Sequence, residues 1–125
     1  MSESSSPRRQ PSPLVRFRRL VSKAIDGLPE GFRQRLDNVV FRIEPRRRGE
    51  DPPRTLGFYH GVPLTDQSPA SATPQVFITL YQEPIERESR GNPEKLERLV
   101  RHVVVHEVAH HFGFSDDDLR RMGVY

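Results

Sequence analysis

The 125-residue sequence has no cysteine. That excludes a disulfide scaffold, a thiolate zinc finger, an iron–sulfur centre and a cysteine nucleophile, so any metal must be held by histidine and carboxylate. No run approaches the roughly 18 apolar residues that a membrane span needs. Apolar residues are scarce throughout: 34% are hydrophobic, and counting the 8 Gly while leaving out the 3 Tyr gives about 38%, against roughly 45–50% in a typical globular chain. The core is therefore small, enough for one domain and not two. A targeting signal is also missing. Arg8 and Arg9 are followed by QPSPLVRFRRL, which holds no apolar run of about seven residues, so neither a secretory nor a transit peptide is expected and a cytoplasmic location is.

Charge is uneven. Residues 1–54 hold 13 Lys/Arg and 7 Asp/Glu, a balance of +6, whereas residues 55–125 hold 7 and 10, a balance of −3. A basic half invites a nucleic-acid reading. It has no aromatic interleaving and no recognisable module, so that reading ranks last.

Residues 1–12, MSESSSPRRQPS, offer almost nothing to bury and are expected to be a disordered tail, with one domain over 13–125. Ser12 and Pro13 form a helix start as N-cap and first helical residue. Leu14, Phe17, Val21, Ala24, Ile25 and Leu28 follow at helical spacing, and Gly27 and Pro29 end the helix. A second short helix over 30–36 brings Phe32 and Leu36 to the same core. Val39, Phe41 and Ile43 alternate with Val40, Arg42 and Glu44, as in a strand buried on one side. PRRRGEDPPR (45–54) reads as an exposed loop, LGFYHG (56–61) as a brief strand and 62–74 as loop. QVFITLY (75–81) is the strongest strand. Asn92 and Pro93 open a long helix reaching about Phe112, apolar nearly all round and so buried, and Gly113 stops it. A short helix over 116–123 follows. Strands first and a long helix later, with no repeated βαβ unit, favour an α+β fold with a small mixed sheet.

The buried helix carries VVVHEVAHHFGFSDDD, and polar residues there need a reason. His106 and His110 are four apart, about 40° round the helix, so two imidazoles can reach one ion. Glu107 beside them is placed to take a proton from water at the metal. This is the His-Glu-x-x-His arrangement. Two imidazoles leave a zinc site short of its third protein ligand. Gly113 lets the chain turn back, and Asp116 three residues later supplies a carboxylate; Asp117 and Asp118 remain alternatives, since acids also cap a helix N-terminus. With this chain's own His and Glu frequencies, an accidental His-Glu-x-x-His arises in roughly one such chain in sixty, and requiring Gly113 and Asp116 lowers that to roughly one in twenty thousand. His111 points about 140° from His106 and reads as a hydrogen-bonded core or boundary histidine. His102 is a neighbour of the site, and Met122 packs. Tyr59, His60 and Tyr81 are candidate oxyanion donors with a structural role as the simpler reading.

On these residues the sequence resembles the small bacterial zincin-like metallopeptidases of the minimal Asp-zincin type. The stretches that carry the resemblance are LGFYHGVPLT (56–65), VFITLYQEPI (76–85), VRHVVVHEVAHHFGFSDDDLRRMG (100–123) and the helical stretch before Gly27-Leu28-Pro29. It implies a minimal zincin-like fold: N-terminal helices, a small mixed sheet and a buried active-site helix, without a large second lobe. It implies Zn²⁺ on His106, His110 and Asp116, with Glu107 as base. The expected activity is hydrolysis of a peptide or protein substrate by metal-activated water, in a cleft lined by QVFITLY as edge strand, with a protein partner possible to complete so small a cleft. The alternative is a catalytically silent metal-binding or interaction module, against which an intact Glu107 argues.

Overall fold

The computed structural model describes residues 11–49, 55–62, 67 and 75–121. The expected disordered tail up to residue 10, most of the 63–74 loop, the end of the 45–54 loop and Met122 lie outside the described residues. The first helix, α1 (Pro13–Asp26), begins as its sequence dictates: Ser12 Oγ accepts from the Val15 amide, and Pro13 occupies the first position, where no amide is needed. Phe17, Val21 and Ala24 are its buried stripe. The next helix, α2 (Glu30–Arg33), is a single turn. Phe32 does not enter the core: it is 38% exposed, and its ring lies 5.0 Å from that of Phe112 at the rim. A one-turn helix cannot hold both Phe32 and Leu36 inward.

Three strands follow: β1 (Val39–Glu44), β2 (Gly57–Val62) and β3 (Gln75–Tyr81). The sheet order is β1-β3-β2, with β1 parallel and β2 antiparallel to β3. QVFITLY is thus the central strand and not an edge. Its composition says why: Val76, Ile78 and Leu80 are buried on one face, and Thr79 and Tyr81 are buried on the other, the pattern of a strand paired on both sides. β1, an edge strand, is half-buried along its whole length, and its residues alternate as expected: Val39, Phe41 and Ile43 pack against the core.

β3 runs directly into α3 (Gln82–Ser89), a helix the sequence did not announce because Pro84 reads as a breaker. Pro84 sits in the first turn, where the missing amide costs nothing. Ile85 anchors α3 in the core, and the Glu83 amide donates to the Pro45 carbonyl. Arg90 (φ 53°) and Gly91 (φ 76°) then reverse the chain in left-handed conformation.

The long helix α4 (Pro93–His111) starts at Asn92, whose Oδ1 accepts from the Glu94 and Lys95 amides. It packs on α1, α3, β2 and β3. Leu96, Val100, Val103, Val104 and Val108 meet Phe17, Ile78, Leu80 and Ile85 in one core. Burying a side chain of this size contributes roughly 1.5–3 kcal/mol before entropy is counted. The architecture is α+β, a three-stranded mixed sheet with helices on one face.

Candidate metal centre

The inward wall of α4 is apolar except at Glu107, which is 8% exposed. Room for it comes from β2. A Cβ at Gly57 would lie 2.7 Å from Val103 Cγ1 and 3.4 Å from Glu107 Cγ, so only glycine lets the strand approach the helix this closely. His106 and His110 sit one turn apart beside Glu107, with ring centroids 4.4 Å apart. One donor atom from each of His106, Glu107 and His110 lies within 4.8 Å of the others.

At the end of α4, Gly113 adopts φ 89°, and its amide donates to the His110 carbonyl. This is the left-handed helix stop. The chain then enters α5 (Asp116–Arg121) through a reciprocal cap: the Ser115 amide donates to Asp118 Oδ2, and the Asp118 amide donates to Ser115 Oγ. That cap separates the three acids. Asp118 is engaged with Ser115 and Arg121, and Asp117 with Arg120 at 3.2 Å. Asp116 turns back to α4 instead. Its Oδ1 is 2.9 Å from His110 Nε2 and 3.5 Å from His106 Nε2. Glu107 lies on the other side of the imidazole, Oε1 3.6 Å from His110 Nδ1.

Two carboxylates therefore flank the histidine pair, and they are not equivalent. Only Asp116 reaches both Nε2 atoms with a single oxygen. A tetrahedral zinc ion with bonds of about 2.0–2.2 Å sets neighbouring donors about 3.3–3.6 Å apart. The 3.5 Å separation already has that span. The 2.9 Å contact is a hydrogen bond in which a proton stands between the same lone pairs that a cation would share. Two imidazoles and one carboxylate, with no thiolate, suit zinc.

The electrostatics differ from group to group. Burial, and secondarily His110, hold His106 below the ordinary imidazole value, which keeps it neutral and able to ligate. Burial pushes Glu107 above the ordinary carboxylate value, against the pull of His110. The His110 hydrogen bond lowers Asp116 and keeps it anionic.

Other candidates fall away from the centre. His111 Nδ1 pairs with Tyr59 Oη at 3.3 Å, a helix-to-strand contact. His102 is exposed, its ring 6.0 Å from that of His106. His60 and Tyr81 belong to the sheet face turned away from α4, His60 stacked on Phe58; neither can serve as an oxyanion donor at α4. Gly57 and the Ser115 cap were not picked out from sequence. Their signals were a lone glycine in a strand and a Ser-x-x-Asp before a helix.

A profile of the zincin-like metallopeptidases matches residues 36–124. The chain belongs to this family. In this zincin-like family member the matched span takes in the sheet, α3, α4 and α5, and leaves α1 and α2 outside it. Membership implies a metal, typically zinc, and peptide substrates. No curated protein matches the chain. No described helix is long and apolar enough to cross a membrane.

Proposed function

We propose that this zincin-like protein is a zinc-dependent peptidase in which His106, His110 and Asp116 hold the metal and Glu107 is the general base. The observation that carries the reading is one Asp116 oxygen within 3.5 Å of Nε2 of both histidines, with buried Glu107 beside them. Zinc held there would polarise the scissile carbonyl and acidify the attacking water. Glu107 takes the proton that this water loses and returns it to the leaving amine. Its burial supports both halves of that cycle, because a carboxylate with a raised pKa is a stronger base and a usable acid. β2, the edge strand against Val103 and Glu107 of α4, is where an extended substrate would pair by main-chain hydrogen bonds. No substrate side-chain pocket is assigned.

The test is Glu107→Gln, assayed on an unstructured protein and a mixed peptide library with zinc measured in parallel. The nearly isosteric amide cannot accept the proton. Zinc content and fold are expected to persist while hydrolysis falls by roughly 10²- to 10⁴-fold. Hydrolysis undiminished in the zinc-loaded variant would overturn the assignment of Glu107.

A further inference from the structure

The sheet has a second face that the proposed chemistry leaves unused. The strand register arranges it in rows, with Phe77 between Val40 and His60, and Thr79 between Arg42 and Phe58. The Arg42 guanidinium lies over the Phe77 ring, 3.9 Å from its centroid, and its Nε is buried with no hydrogen-bond partner among the described residues. Phe58 is 43% exposed, more than any other large hydrophobic among the described residues, and it stacks with His60 at 6.0 Å and 18°. These side chains border a cavity of about 440 Å³ that also takes in Arg48 and Tyr81. Glu44 is 3.5 Å from Arg48 and cancels part of its charge, so Arg42 is the main cation of the face.

A ligand for this surface needs a planar π group for the exposed phenyl ring and an anion for the arginine. A nucleotide unit carries both on one residue. β1, which supplies Arg42, belongs to the half of the chain with 13 basic and 7 acidic residues, part of them on α1 and away from this face; of the run after β1, Arg46 is paired with Glu83 at 3.3 Å and Arg47 precedes Arg48. The sequence alone showed that half to be basic but not aromatic; pairing with β2 and β3 sets Phe58, His60 and Phe77 beside it. We infer that the outer face of the sheet binds single-stranded nucleic acid, one base stacked on Phe58 and a phosphate held by Arg42. Bases must be unpaired to stack on side chains, so a duplex is excluded. An acidic peptide would meet the arginines but leave Phe58 uncovered. The face lies opposite α4, so this binding is independent of Glu107.

The experiment uses the full chain and a fluorescent single-stranded oligonucleotide about ten nucleotides long, within the usual site size, read by anisotropy as salt is raised. Binding is expected at low salt. Phe58→Ala and Phe58→Leu both weaken it by roughly five- to a hundredfold, the effect of losing one stacking ring. Arg42→Gln flattens the dependence of log K on log salt by about 0.7, the value of one phosphate contact on a single strand. Glu107→Gln binds as the wild type does. The inference is overturned by no binding at low salt, by duplex or polyglutamate competing as well as an unlabelled single strand, or by Phe58→Leu binding undiminished. The leucine variant preserves the apolar contact, so its loss of affinity is not a loss of fold.

Discussion

Gly57 brings β2 close against α4, and enlarging it tests how Glu107 is held. A Cβ there would sit 2.7 Å from Val103 Cγ1, 3.2 Å from the Thr79 carbonyl oxygen and 3.4 Å from Glu107 Cγ. The first distance is about 1 Å inside ordinary carbon–carbon contact at ~3.5–4.0 Å. Val103 cannot swing aside: it is 4% exposed, and a helical valine has one strongly preferred rotamer. The Thr79 carbonyl is backbone of the central strand. In Gly57→Ala the strand and helix must therefore separate, at a cost of about 1–3 kcal/mol, of which backbone entropy offsets about 0.5–1 kcal/mol. Val103→Ala alone costs about 2 kcal/mol through lost burial and the cavity left behind. In the Gly57→Ala background the same change relieves the clash, so it costs about 1 kcal/mol less, a coupling within the usual range for touching residues. Urea unfolding of the four proteins, with chelator present so that bound metal adds nothing, measures that coupling. Additivity within about 0.3–0.5 kcal/mol would show that the two residues do not meet, and the account of Gly57 would be wrong.

Three further outcomes are expected. Ser115→Ala removes the hydroxyl that accepts from the Asp118 amide, costing about 1 kcal/mol at the start of α5, and weakens zinc binding because α5 carries Asp116; unchanged zinc affinity by competition titration would contradict the link. In the metal-free protein, burial keeps His106 below its ordinary 6.5, so the stability from its neutral form is complete above 6.5 and is lost as pH falls through the depressed value. Burial keeps Glu107 above its ordinary 4.5, so the stability from its protonated form is complete below 4.5 and is lost as pH rises through the raised value. Glu107→Gln should abolish the second loss and leave the first; urea midpoints that overlay the wild type between about pH 4 and 8 would refute this. Zinc affinity should fall as acid protonates the imidazoles, and a pH-independent affinity between about pH 5 and 8 would exclude them as ligands.

Much of the fold was legible where it is set by local geometry. Asn92-Pro93 and Gly113 bracket α4 because capping needs only a few residues on either side. The grouping of His106, Glu107 and His110 follows from helical periodicity alone. The rest needed contacts distant in sequence. The strand order was not legible, because β1 reaches β3 by a parallel pairing that steps over β2. α3 was hidden by Pro84, and its anchor Ile85 counts only once the core around it exists. Nor could the acids at 116–118 be told apart in sequence. Their difference arises from the Ser115 cap and the two i,i+3 arginine pairs, which engage Asp117 and Asp118 within their own helix. The nearness of Arg42 to Phe58 and Phe77 depends on register across three strands.

Whether His106, His110 and Asp116 hold one zinc ion is decided most directly by crystals of the full chain grown with zinc, with anomalous scattering recorded at the zinc absorption edge. One peak is expected, about 2.0–2.2 Å from Nε2 of both histidines and from an oxygen of Asp116, with the Glu107 carboxylate beyond bonding distance. A peak bonded to Glu107 with Asp116 turned away, or no peak at α4, would contradict the assignment.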